Sequence, residues 1–517
     1  MSLARFFARN ADAILRVADI VNRDVLIQRL TGQAVAVVAG DHVDDDPARS
    51  EGYVFAVDLA SRLYPTLGLT GPKSLVERAA QRAQQINPII DIVEPTDDMP
   101  TLLYEATGSA HGVAVSSSGW NVTIDGEPAP YTSAEGAASL AAATLGINEV
   151  FRDVFADSLD HPRKEISPTS WNLITLLPTS DGLSSGRGVD VGRVLLAGCG
   201  AVGQAAVATL RATEVAGTLI AVDPERVELT NLQRYILTDD SSEGDAKVEI
   251  IERALAGTPL TVEPVEAHWT AEAVSRASKT LAAVDSAADR IAIQAGLPKV
   301  IYNAYTDQLD LGWSRHEAFG TDACLACLYW PSGRRSSRSE QIGDILDESP
   351  ARITGYVITA TPIGEPLPAT IQPPRGISPQ EVERWQVTPL IDDIALRRGV
   401  PASKIEAWRG RTIDELYREG ICGGALIELA DSAGAREHAT VPLAQQSAMA
   451  GIMLAVQLIT ACSDDLLLYR PAHNEGRINM LKSPSPYTTQ RARTIGCLCS
   501  DLDFVDRYQS LWSQISE

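Results

Sequence analysis

The run Gly198-Cys-Gly-Ala-Val-Gly203 follows an apolar stretch, 193–197, and precedes a helical pattern, 202–214. In such a turn the first glycine permits the bend, the second lets backbone approach a phosphate, and the third lets the helix pack close to the sheet. Here those are Gly198, Gly200 and Gly203, and Asp223 follows about where an acidic residue meets a ribose hydroxyl. These four positions suit a nicotinamide or flavin cofactor as well as a nucleotide. The residues after them break the tie. Asn231 offers a polar contact, Arg234 and Lys247 two cations, and Asp285 ends the apolar run 281–284, where a carboxylate can hold Mg²⁺. Splitting ATP between its α- and β-phosphates develops charge on the leaving pyrophosphate, which Arg and Lys side chains with a divalent metal stabilise. A dehydrogenase carries its pyrophosphate on backbone N–H groups and needs no cationic cluster. The chain has no Gly-x4-Gly-Lys-Ser/Thr run, which excludes a P-loop enzyme.

The cysteines divide into groups. Cys324-Leu-Ala-Cys327 and Cys497-Leu-Cys499 are two close pairs whose spacing suits one tetrahedral zinc clamping the long excursion between them. The alternative is unrelated buried cysteines. Cys422, in Glu419-Gly-Ile-Cys-Gly-Gly424, has flanking glycines that would give access and N–H groups favouring a thiolate. It reads otherwise as a small residue in a turn. Cys462 reads as packing, and Cys199 as filler beneath a nucleotide. Gly182-Leu-Ser-Ser-Gly186 matches a nucleophile elbow in form only, because it lies among turn residues rather than between strand and helix. The histidines form no metal motif.

Two α/β patterns must position these residues. Strands at 193–197, 218–222, 261–265, 280–284 and 299–303 alternate with helices at 202–214, 246–256 and 287–295, as a parallel sheet requires. The earlier half has helical segments over 5–30, a strand at 34–39, helices near 54–63 and 73–85, and a strand at 89–93. A hairpin of 112–115 with 120–124 and an Ala-rich helix, 134–155, follow. Its turn, Gly40-Asp-His-Val-Asp-Asp-Asp46, puts carboxylates where phosphates would need N–H groups. The expected fold class is α/β, with two Rossmann-like units, the first degenerate (1–177) and the second active. A linker at 178–188 leads to a nucleotide-binding part at 189–330, an insertion bearing Cys422 at 331–425, and the remainder at 426–517.

A chain of 517 residues exceeds one core, and 45% hydrophobic with 21% charged residues is ordinary for a globular protein. The net charge of −23 argues against nucleic acid and is compatible with a basic protein partner or with solubility alone. No apolar stretch suggests a membrane span, and the first residues lack a secretory signal, so a cytoplasmic location is expected.

The pattern Gly-x-Gly-x-x-Gly, Val222-Asp-x-x-x-Val-x-x-x-Asn-Leu-Gln-Arg234, Lys247 and Val284-Asp-x-x-x-x-Arg290 resembles the ubiquitin-activating superfamily. That superfamily includes the ThiF/MoeB-like adenylyltransferases that activate sulfur carriers. The resemblance implies ATP as cosubstrate, ribose binding for Asp223, phosphate contacts for Asn231, Arg234 and Lys247, and Mg²⁺ on Asp285. It also implies Zn²⁺ on Cys324, Cys327, Cys497 and Cys499, and Cys422 as a crossover-loop cysteine that receives the activated protein as a thioester. The phosphates would be completed by an arginine from the inactive unit. Arg16 is the candidate and Arg9 the runner-up, although solvated helix arginines are the ordinary case. The implied partners are a ubiquitin-like protein and a conjugating enzyme, in a monomer or homodimer. Shorter bacterial enzymes of this kind occur with ubiquitin-like modification systems, some linked to antiphage defence. Two departures stand out: the usual Asp-x-Asp is Asp223-Pro-Glu225, and the usual Gln after the arginine is Tyr235. The alternatives are a sulfur-carrier adenylyltransferase, an NAD-dependent oxidoreductase and a non-catalytic scaffold.

Overall fold

The computed structural model describes residues 6–15, 17, 23–106, 112–126, 133–161, 168–270, 277–307, 310–330, 339, 343, 346, 348–371, 373, 378–398, 406, 409–413 and 442–513. Two compact units result, one of Met1–Trp330 with Pro442–Glu517, the other of Pro331–Val441.

The first unit holds two sheets. Helices α1 (Phe7–Leu15) and α2 (Arg23–Thr31) lead into strand β1 (Ala34–Ala39), helix α3 (Pro47–Leu63), β2 (Thr66–Thr70), α4 (Lys73–Ile86) and β3 (Asp91–Val93). Then come β4 (Thr101–Tyr104), β5 (Gly112–Ser118), β6 (Asn121–Ile124), α5 (Gly136–Val154) and β7 (Thr169–Asn172). The second sheet begins with β8 (Asp190–Ala197), α6 (Ala201–Ala212), β9 (Ala216–Val222), α7 (Lys247–Leu255) and β10 (Leu260–Val265). It continues through β11 (Lys279–Ala282), α8 (Ala287–Ala295), β12 (Val300–Asp307), β13 (Asp310–His316) and α9 (Leu325–Tyr329).

The other unit contributes α10 (Pro350–Thr359), α11 (Pro379–Val387) and α12 (Leu390–Arg398) around Ile353, Tyr356, Trp385 and Ile391. The chain then returns to the first unit with α13 (Ala444–Ala461), α14 (Asp464–Leu467), β14 (Glu475–Asn479), β15 (Ser483–Thr489) and α15 (Leu502–Ser513).

The sheets share one topology. Their orders are β3-β2-β1-β4-β5-β6-β7 and β10-β9-β8-β11-β12-β13-β14-β15. In each, the first five strands run parallel and the rest antiparallel. β1, Ala-Val-Ala-Val-Val-Ala, is almost wholly buried, as a parallel strand covered by helices on both faces must be. Helix α13, apolar nearly all round, packs on α5 and α6 and so joins the halves.

The expected mixed α/β class with two parallel-dominated sheets is what the chain forms. Strands β2 and β4 were not expected from sequence. Both are short, and Thr66-Leu-Gly-Leu-Thr70 carries a strand-weakening glycine, so only their central places in the sheet define them. β11 ends at Ala282, earlier than its apolar run, which leaves Asp285 on a loop. Among the described residues, no helix is long and apolar enough to cross a membrane.

Candidate functional site

The turn between β8 and α6 is built by close approach. Gly198 has φ +95, and a Cβ there would fall 2.7 Å from the Ala283 carbonyl oxygen. A Cβ on Gly203 would lie 2.2 Å from the oxygen of Gly198. Gly200 is the N-cap of α6 and supplies no side-chain acceptor, so the helix start keeps N–H groups of the kind that bind anions.

Asp223, at the end of β9, is buried against this turn. One carboxylate oxygen accepts the Cys199 N–H at 2.7 Å and the other the Glu225 N–H at 2.8 Å. Burial lifts its pKa above the ordinary carboxylate range, against the opposing pull of Lys247 and these donors. Cys199 is also buried, and burial pushes its thiol up, which suits filler rather than a nucleophile.

Tyr235 is the centre of a cationic pair. The Arg234 guanidinium lies 5.5 Å from its ring centroid and the Lys247 Nζ 5.1 Å. Lys247 opens α7, is buried, and pairs with the Glu225 carboxylate. Burial alone would lower the Lys247 pKa, but Tyr235, Asp223 and Glu225 outweigh it and hold the ammonium charged. Asn231 is placed differently. Its side-chain oxygen accepts the Glu228 N–H at 3.0 Å, capping the short helical turn that carries Arg234.

Asp285 is exposed on the loop after β11, which borders the turn where Ala283 meets Gly198. Arg290, given no role from sequence, holds that loop: it donates to the Asp285 carbonyl at 3.2 Å and to Asn303 Oδ1 at 3.1 Å. Its signal was the fixed distance from Asp285. Arg16 and Cys422 lie outside the described residues, and Arg9 falls within α1.

The four paired cysteines converge. Their sulfurs all lie within 4.8 Å of one another, with separations of 3.8 Å (Cys324–Cys327), 3.6 Å (Cys324–Cys497) and 3.4 Å (Cys327–Cys499). Zinc thiolate bonds of about 2.3 Å give a tetrahedron with edges of about 3.8 Å, whereas a disulfide needs about 2.05 Å. All four are buried, among Ala323, Ala326, Phe319, Trp330 and Leu498. The Thr494 N–H reaches Cys327 Sγ at 3.3 Å, and Arg493 holds the Cys499 carbonyl at 2.6 Å. An all-sulfur, buried, near-tetrahedral donor set fits a structural zinc.

The equivalent place in the first sheet is closed by its own side chains. Asp46 caps α3, accepting the Ala48 N–H at 2.9 Å and the Arg49 N–H at 3.3 Å. Buried Glu105 takes the Ser117 N–H at 2.7 Å and lies 3.4 Å from Arg49 Nε. A Cβ on Gly40 would fall 2.1 Å from the Glu105 carbonyl oxygen, a close approach like that of Gly198 to Ala283, so the two turns differ in what caps the helix start rather than in this contact.

Comparison with known proteins agrees with the motif half. The uncharacterised protein y4jF of Sinorhizobium fredii is 32% identical over 98% of this chain and 97% of its own length. Crystal structures of E. coli MccB are distant. The one with MccA-N7isoASN has 13% identity and a TM-score of 0.34, over 60% of this chain and 67% of that one. The one with succinimide has 20% identity and a TM-score of 0.24 over 26% of this chain. This chain spans only 44% of the length of that MccB chain, and likenesses so partial decide nothing about activity. The ThiF family pattern matches residues 187–491, more than half of the sequence. The chain therefore belongs to the ThiF family, within the E1-like adenylyltransferase superfamily, which supports an enzyme that uses ATP for adenylation.

Proposed function

We propose that this protein activates a ubiquitin-like protein by adenylating its C-terminal glycine, then carries it as a thioester on Cys422 for transfer to a conjugating enzyme. The observation that supports this most is the gathering of Lys247, Arg234 and Asp223 around Tyr235 beside the uncapped glycine turn. The carrier carboxylate attacks the α-phosphorus, the bond to the β-phosphate oxygen breaks, and pyrophosphate leaves. Lys247 and Arg234 balance the charge that develops there. Asp223 would take the ribose hydroxyls. The exposed Asp285 carboxylate fits Mg²⁺, which is bound through one or two carboxylates plus substrate phosphates and neutralises them when present. Zinc on the four cysteines would tie α9 to the segment before α15. Arg16, or Arg9 from α1, would complete the phosphate contacts.

The test is carrier-dependent ATP–pyrophosphate exchange, with a denaturant-resistant, thiol-cleaved carrier adduct as its second readout. Cys422→Ser should keep exchange and lose the adduct. Exchange without an adduct in the wild type would instead favour a sulfur-carrier adenylyltransferase, a reading compatible with the same family match. Absent exchange with nicotinamide-dinucleotide binding would favour an oxidoreductase. Carrier binding with neither activity would leave a scaffold. Elemental analysis should find zinc in the wild type and little in Cys327→Ser; equal zinc in both would remove the metal from the account.

A further inference from the structure

Two arginines of the first half act on the loop of the second half that carries Arg234 and Tyr235. Arg62, on the last turn of α3, has a side chain with 0% exposure. Its Nε donates to Asp58 Oδ1 at 2.7 Å, one Nη to the Thr238 carbonyl at 2.9 Å, and the other Nη to the Leu232 carbonyl. Arg82, on α4, donates through Nε to the other Asp58 oxygen at 2.8 Å. Its Nη2 reaches the Ile236 carbonyl at 2.9 Å and the Thr238 carbonyl at 3.0 Å. One buried carboxylate thus orients two guanidinium forks onto three carbonyls of a single loop. Between Leu232 and Thr238 lies Tyr235, whose hydroxyl would be 3.3 Å from a Cβ on Gly200 and whose ring Arg234 and Lys247 flank. Gln204 of α6 also holds this segment, its Oε1 accepting the Leu237 N–H at 3.1 Å. Helix α1 joins the same cluster, for Asn10 Nδ2 donates to the Arg62 carbonyl.

Burying guanidinium groups is costly, and apolar packing would hold two helices against a loop more cheaply. What a fork adds is fixed geometry, because two or more N–H groups set the separation of the acceptors they bind. We propose that Arg62 and Arg82 are positioning residues for the ATP site: by fixing the carbonyls of Leu232, Ile236 and Thr238, they set where Arg234 and Tyr235 stand beside Lys247. The half without a nucleotide turn of its own thereby serves the turn of the other. This rests on the ATP reading above.

The experiment uses the full chain, with Arg62→Lys and Arg82→Lys. Lysine keeps the charge and loses the fork. The Arg82 side chain is 20% exposed, so its variant threatens the fold less than that of Arg62. Calorimetry follows binding of a non-hydrolysable magnesium–ATP analogue and, separately, of adenosine. Hydrogen exchange follows the amides of 231–238. The triphosphate should weaken roughly tenfold in each variant, the worth of one charge-assisted hydrogen bond. Adenosine should change by less than about twofold, while the loop amides exchange faster. Equal weakening of triphosphate and adenosine would reduce both arginines to general supports and overturn the proposal. So would unchanged affinity in both variants with a wild type that binds the analogue. A wild type that binds no triphosphate overturns the ATP reading and the proposal with it, whatever the loop amides do.

Discussion

Where β8 meets α6, a short glycine turn leaves a helix start uncapped and open. Where β1 meets α3, a longer acidic loop sends Asp46 back onto the helix start and Pro47 fills the first helical position. The strand order around both turns is the same. Sheet topology and an open helix start are therefore separable: one half keeps the layers while Asp46 caps its own helix. In the other half buried Lys247, half-buried Arg234 and buried Asp223 are grouped around Tyr235.

Away from Arg62, Arg82 and the helix α1 arginine, damage in the first half should cost stability and leave nucleotide chemistry alone. The largest effect is expected at Arg49→Ala, which removes the cation beside the buried Glu105 carboxylate. Breaking a buried pair typically costs about 3–5 kcal/mol, read by urea unfolding, while the folded fraction keeps its ATP affinity. In the second half the effects should invert. Lys247→Ala should lower ATP–pyrophosphate exchange roughly 100-fold with a small change in unfolding midpoint, because its partner Glu225 is 63% exposed and can rehydrate. Asp46→Ala should cost about 1 kcal/mol as a lost N-cap. It should confer no nucleotide binding, since Pro47 still takes one N–H from the helix start. A gain of binding there would show that one carboxylate separates the halves.

The smallest effect is a pH dependence. Burial raises the Asp223 pKa in the folded chain, so the native state holds that proton more tightly than the unfolded one. The linked stability is whole below the unfolded carboxylate pKa of about 3.9 and declines as pH rises through the folded value. Thermal melts of the wild type should accordingly fall, relative to Asp223→Asn, as pH rises above about 3.9. Parallel melts of the two proteins would contradict this.

The residues proposed to hold the nucleotide were legible in the sequence because such chemistry requires particular side chains at fixed distances along the chain. Gly198, Gly200, Gly203, Asp223, Arg234 and Lys247 belong to consecutive β–α connections, which a parallel sheet brings to one edge. The cysteine pairs were legible for a similar reason, since thiolates close in sequence make a chelate before any fold is considered. Other features have no local signature. Arg62 and Arg82 sit in ordinary helical surroundings, and only the docking of one half on the other turns them toward carbonyls of 232–238. Glu225 reads as a departure from the family pattern until its carboxylate is seen on Lys247. The antiparallel strands β13, β14 and β15 were also missed: the insertion separates β13 from β14 along the chain, although β13 follows its other partner β12 directly.

The most direct test is equilibrium binding of magnesium–ATP to the full chain, with its stoichiometry. One nucleotide should bind per chain, lost in Lys247→Ala and retained in Asp46→Ala. Two nucleotides per chain, none at all, or one that survives Lys247→Ala would contradict it.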